Sequence, residues 1–180
     1  MVGSKKRGEG TPRSELVIIT GMSGAGRSEA IHTFEDLGYF CIDNLPPSFI
    51  ANLVQLTALE GSHIKRVAVV CDVRGREFFD ELRGEIERLR TAGTPFRILF
   101  LEAGDEVLVQ RFKETRRRHP LAEAGSVLQG IEAEREALEP FRGLADLVID
   151  TSEMTLHQLR DMIEARFVPA GEEGHLDISV

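Results

Sequence analysis

Eight consecutive residues carry the clearest chemistry in this chain: Gly21-Met22-Ser23-Gly24-Ala25-Gly26-Arg27-Ser28. They fit a glycine-rich phosphate loop, with a cation and a hydroxyl closing the pattern. Gly21, Gly24 and Gly26 allow the backbone to curl so that its N–H groups point inward and form a nest for anionic oxygen. A helix starting at the loop adds its partial positive end. The Ser28 hydroxyl is suited to Mg²⁺, and the residue before it reaches the β- and γ-phosphates of a nucleoside triphosphate. That residue is Arg27, where the usual loop has Lys. A planar, forked guanidinium replaces a compact charge, so phosphate affinity is expected to survive while hydrolysis becomes less assured. All eight residues are candidate ligand contacts.

Asp72 ends the apolar run Val67-Ala68-Val69-Val70-Cys71, where a second Mg²⁺-holding group belongs. Read plainly, it is a strand-end or capping aspartate. Arg74 would share its rim. Asp43 and Asn44 end another apolar run, either as acceptor-binding groups or as part of the turn that Asn-Leu-Pro-Pro favours. Arg116-Arg117-Arg118-His119 is the one basic cluster of note. It reads as a solvated face or as a lid whose arginines close over the triphosphate. His32, His63 and His157 suggest no metal site.

These groups need a frame, and the hydropathy pattern supplies one. Short apolar runs at 16–20, 39–42, 67–71, 96–101 and 147–150 predict strands. Helical spacing intervenes: Ala30, Ile31, Phe34 and Leu37, closed by Gly38; Phe49, Leu53 and Leu56; Phe78, Leu82, Ile86 and Leu89; and a helix opening at 107–112. A last helix begins near Thr155, which with Gln158 forms a capping box. The alternation predicts an α/β fold of the P-loop NTPase, kinase-like type: an open parallel sheet of about five strands flanked by helices. The charged, helical stretch 114–139 breaks the alternation and is expected over the C-terminal edge of the sheet, where ligands bind in such folds. Residues 1–14 read as a disordered tail and 15–168 as the nucleotide-binding domain. Residues 169–180 read as a linker and the first strand of a further C-terminal domain.

Composition narrows the function further. With 180 residues, 42% hydrophobic and 29% charged, the chain can build one soluble domain. A net charge of −8 argues against an indiscriminate polyanion binder, and the absence of Trp with a single Tyr leaves few platforms for stacking bases. No run is long enough for a membrane span, so a cytoplasmic location is expected. Cys41 and Cys71 lie in apolar runs without metal-ligand spacing and read as buried free thiols.

Several segments together resemble the RapZ/YvcJ family of bacterial P-loop nucleotide-binding proteins. They are the loop, Leu37-Gly38-Tyr39-Phe40-Cys41-Ile42-Asp43-Asn44-Leu45-Pro46, Asp72-Val73-Arg74, Thr115-Arg116-Arg117-Arg118-His119-Pro120-Leu121, and Ala145-Asp146-Leu147-Val148-Ile149-Asp150-Thr151-Ser152-Glu153-Met154. The resemblance implies binding and hydrolysis of ATP and GTP; hydrolysis is expected to be slow because of Arg27, with Arg27 and Asp72 read from the loop chemistry as the catalytic residues. It implies a second nucleotide-binding segment at Asp72-Val73-Arg74-Gly75; the residues themselves place Mg²⁺ on Ser28 and Asp72. In enterobacteria the full-length proteins are RNase adapters, and RNA binding is mostly credited to a C-terminal domain. A regulatory role with an RNA or protein partner through that domain is therefore implied, and a homo-oligomer is permitted. Gly75 stands where some members carry Asn, which bears on base preference. Two other readings remain open: a small-molecule kinase with Asp43 facing an acceptor hydroxyl, and a nucleotide sensor without turnover.

Overall fold

The computed structural model describes residues 15–59, 61–71, 76–122 and 126–167. The expected tail at 1–14, the linker at 169–180 and the segment Asp72–Gly75 lie outside the described residues. In chain order the elements are β1 (Glu15–Gly21), α1 (Arg27–Asp36), β2 (Phe40–Ile42), a 3-10 turn (Pro47–Phe49), α2 (Ile50–Ala58), β3 (Arg66–Val70) and α3 (Arg76–Thr91). There follow β4 (Phe96–Glu102), α4 (Asp105–Thr115), α5 (Val127–Leu144), β5 (Leu147–Asp150) and α6 (Leu156–Phe167).

The five strands form one sheet in the order β2-β3-β1-β4-β5, and every neighbouring pair is parallel. β1 is central, which explains its unbroken apolar text: Val17, Ile18 and Ile19 are fully buried, as a strand covered on both faces must be. The chain leaves β1 for one side of the sheet and crosses to the other between β3 and β4. The C-terminal end of β1 therefore sits at the switch point of the sheet, where a crevice opens.

Helix boundaries follow the expected local chemistry. Gly38 adopts φ +79° after α1, and the N–H groups of Gly38 and Tyr39 return to the carbonyls of Glu35 and Phe34. Thr155 and Gln158 exchange hydrogen bonds at the start of α6. The buried face of α2 differs from the expected one. Ile50, Leu53 and Thr57 point inward, whereas Phe49 and Leu56 are exposed. The 3-10 turn takes Phe49 into the cap of α2 and so rotates the face by one residue. In α3, Leu82, Ile86 and Leu89 are buried as expected, while Phe78 is partly exposed near the helix start. The strand-free stretch resolves into the end of α4 and most of α5, which is opened by a capping box between Ser126 and Gln129.

Candidate phosphate-binding site

The loop between β1 and α1 curls on three glycines in the left-handed region: Gly21 at φ +136°, Gly24 at +86° and Gly26 at +106°. At Gly21 the need is also steric, because a Cβ would lie 2.1 Å from the Leu101 carbonyl oxygen. Met22 and Ala25 turn their side chains into the core. Met22 N–H donates to Leu101 O at 2.9 Å and Ala25 N–H to Met22 O at 3.0 Å. Ser23 N–H donates to Glu134 Oε2 at 2.9 Å. Among the described residues, the N–H groups of Gly24, Gly26 and Ser28 have no protein acceptor, and they stand at the start of α1, where an anion is favoured.

These residues line a cleft of about 630 Å³. Ser23, Gly24, Gly26, Arg27 and Ser28 form its floor, Asp43, Asn44 and Val70 one wall, and Arg111, Thr115, Arg117 and Arg118 the other. The structure thus brings the loop together with Asp43, Asn44 and two of the three expected lid arginines. Arg116 instead ends α4 with a left-handed backbone at φ +52°. Val70, at the end of β3, borders the cleft, while Asp72 lies outside the described residues. Asn44 takes φ +55°, and its N–H donates to Asp43 Oδ1 at 2.8 Å, so the expected turn chemistry and the cleft lining coincide.

The floor is held from behind by four residues that the spacing did not single out for this task. Arg111 Nη1 donates to Gly24 O at 3.0 Å and to Thr151 Oγ1 at 3.1 Å, and its Nη2 donates to Thr151 O at 2.7 Å. Thr151 Oγ1 donates to Ala25 O at 2.9 Å. Glu134 accepts from Ser23 twice, and His119 Nε2 meets Glu134 Oε2 at 3.0 Å. His119, read from the sequence as part of an exposed charge run or lid, is only 2% exposed, with its ring against Phe112. Glu134 stands on the buried stripe of α5 with Ile131, Leu138 and Phe141. A glutamate on that stripe is the signal that marks it. Burial alone would raise the Glu134 carboxyl, but the hydrogen bonds from His119 and Ser23 outweigh it and hold the group below its ordinary value. The thiols behave as buried groups: burial pushes Cys71 up to about 12, and Cys41, half-buried, also up to about 12. Among the described residues no cluster of three metal-ligating side chains occurs and no helix is long and apolar enough to cross a membrane.

A five-stranded parallel sheet with a glycine loop at its switch point defines a P-loop protein of the kinase-like type. Solved structures agree on the fold. Shikimate kinase from Acinetobacter baumannii in complex with shikimate superposes with a TM-score of 0.55 at 17% identity, over 84% of this chain and 92% of that one. Shikimate kinase from Bacteroides thetaiotaomicron does so with a TM-score of 0.51 at 15% identity, over 84% of this chain and 95% of that one. The family is more specific than the fold: residues 14–171 match the RapZ-like N-terminal domain, and the chain belongs to that family. A relative from Moorella thermoacetica named "Nucleotide-binding protein" is 52% identical over 160 residues, covering 87% of this chain and 54% of the relative. One of the same name from Streptomyces avermitilis is 54% identical over 159 residues, covering 88% of this chain and 52% of the relative. The chain spans about half the length of the curated relatives it matches.

Proposed function

We propose that this domain binds a nucleoside triphosphate, ATP or GTP, with Mg²⁺, hydrolyses it slowly, and acts as the regulatory module of a longer protein that engages RNA or a protein partner through a further domain. The observation that carries this reading is the left-handed glycine loop, with N–H groups that find no acceptor among the described residues, lining one cleft with Arg27, Ser28, Arg117 and Arg118. The names of the relatives support nucleotide as the ligand. The loop N–H groups and Arg27 hold the phosphates, and the two lid arginines face the charge that develops as water attacks the γ-phosphorus. Ser28, at the cleft floor, fits a cation that takes most of its oxygen ligands from phosphate and water, with Asp72 as the proposed second holder. When bound, Mg²⁺ would supply charge neutralisation for the phosphates. Because Arg27 replaces the usual lysine, binding is expected to be stronger evidence of function than turnover.

The second reading is phosphoryl transfer to a small molecule, favoured by Asp43 and Asn44 on the wall of the same cleft. Phosphate release from ATP and GTP with Mg²⁺, alone and with candidate hydroxyl acceptors, distinguishes the readings in wild type and Arg27→Lys. Slow acceptor-independent release supports the hydrolase. Acceptor-dependent consumption supports the kinase, and binding without turnover in both forms leaves a sensor. Ser28→Ala and Asp72→Ala are both expected to weaken Mg²⁺-dependent binding; loss in only one overturns the proposed metal set.

A further inference from the structure

The hydrogen bonds behind the loop converge on Glu134 from two sides. Leu121 N–H donates to His119 Nδ1 at 3.1 Å, which leaves the ring proton on Nε2, and Nε2 donates to Glu134 Oε2 at 3.0 Å. Glu134 Oε1 takes the Ser23 hydroxyl proton at 2.7 Å, while Oε2 also takes Ser23 N–H at 2.9 Å. With its proton committed, Ser23 Oγ presents lone pairs, and Arg27 Nη2 donates to it at 3.3 Å. The network therefore links the segment that carries Arg117 and Arg118, through two buried side chains, to the cation of the loop. His119 and Glu134 are 2% and 4% exposed, and neither lines the cleft.

We propose that His119 and Glu134 are positioning residues that set the spacing between the two cationic groups of the cleft. Arg27 is aimed through Ser23, and Arg117 with Arg118 through the neighbouring His119. The fork of arginine suits this arrangement. One guanidinium nitrogen donates to Ser23 Oγ, and the fork carries further donors on its other nitrogens, a division a single ammonium cannot make in the same way. Arg27 also reaches the β-phosphate, but the two cationic groups act together only at the terminal one, so their spacing matters more for triphosphate than for diphosphate. This rests on the phosphate-site reading above.

The test titrates MgATP and MgADP calorimetrically into the full chain for wild type, Glu134→Gln, His119→Leu and His119→Gln, with thermal melts of each. Glutamine at 134 confronts three donors with a single acceptor oxygen, and leucine at 119 removes the donor. Both variants are expected to weaken MgATP binding by about tenfold and MgADP binding by less than about threefold. His119→Gln restores an N–H to Glu134 and is expected within about threefold of wild type for both ligands. Equal losses for the two nucleotides, unchanged binding, or a glutamine as damaging as leucine at 119 overturns the inference. Should Glu134→Gln lack a cooperative melt, the His119 pair decides. Wild type that binds neither nucleotide overturns the phosphate-site reading itself, a result distinct from variants that match a binding wild type.

Discussion

Thr151 and Ala25, 126 residues apart in the chain, are joined by a 2.9 Å hydrogen bond from the threonine hydroxyl to the loop carbonyl. The segment leaving β5 thus fixes the back of the phosphate loop. The same hydroxyl accepts from Arg111, and Thr151 N–H donates to Glu102 O at 2.8 Å, so one buried residue ties β5, β4, α4 and the loop together.

Thr151→Val keeps the shape of that side chain and removes its polar functions. It leaves the Ala25 carbonyl without its donor and deprives Arg111 of one of its acceptors. A loss of about 1–3 kcal/mol is expected in urea denaturation, with weaker nucleotide binding alongside. Unchanged stability would mean that the hydroxyl only occupies space.

Two loop glycines should respond very differently to alanine. At Gly21 the added Cβ meets Leu101 backbone at 2.1 Å, and neither strand can move without breaking the sheet. Gly21→Ala is expected to cost more than about 4 kcal/mol or to prevent folding. At Gly24 the nearest atoms are 3.5 Å away, so only the left-handed backbone is strained, at about 1–2 kcal/mol. Thermal melts of the two variants check the order.

Gly130→Ala tests the buried histidine from the other side. In an ordinary helix this change is favourable by roughly 1 kcal/mol. Here the new Cβ would lie 2.6 Å from His119 Nδ1 and 3.1 Å from Ala122 Cβ. Net destabilisation by roughly 1–2 kcal/mol is expected, since the ring is fully packed and has nowhere to move. A stabilised variant would show that the 119–122 segment yields easily.

Acid stability carries the signature of Glu134. Its folded value is depressed below the ordinary 4.5, so the folded state binds this proton less readily than the unfolded chain. The stabilisation is complete above that ordinary value and is lost as pH falls through the lower, folded one. Unfolding free energies of wild type and Glu134→Gln should therefore converge as pH drops from 7 towards 3. A constant gap would show that the charge on Glu134 is immaterial.

Much of this was legible from sequence because it rests on local rules. The glycine loop, the cap at Gly38 and the box at Thr155 are written in adjacent residues, and the parallel sheet follows from apolar runs alternating with helical spacing. The face of α2 departs from the helical spacing because the 3-10 turn that sets its phase leaves no hydrophobic mark. His119 escaped for a different reason. Three arginines precede it, and an ionisable residue in such company reads as solvated unless its partner is known. That partner, Glu134, lies on another helix, so no spacing rule connects them. Thr151 lay within a segment that carried the family resemblance, yet nothing in the text tied it to the loop.

The order in which the loop acquires its supports has a consequence for folding. Its anchors lie at Leu101, Arg111, Glu134 and Thr151, all far downstream of the glycines. β1 can pair only after β3 and β4 exist, and the loop is fully braced only after β5 has joined the sheet edge. Non-local closures of this kind are formed late because their chain entropy must be spent before the contacts return anything. During synthesis, then, the glycines emerge first and the finished cradle last, so binding competence reports that β4, β5 and the helices between them are in place.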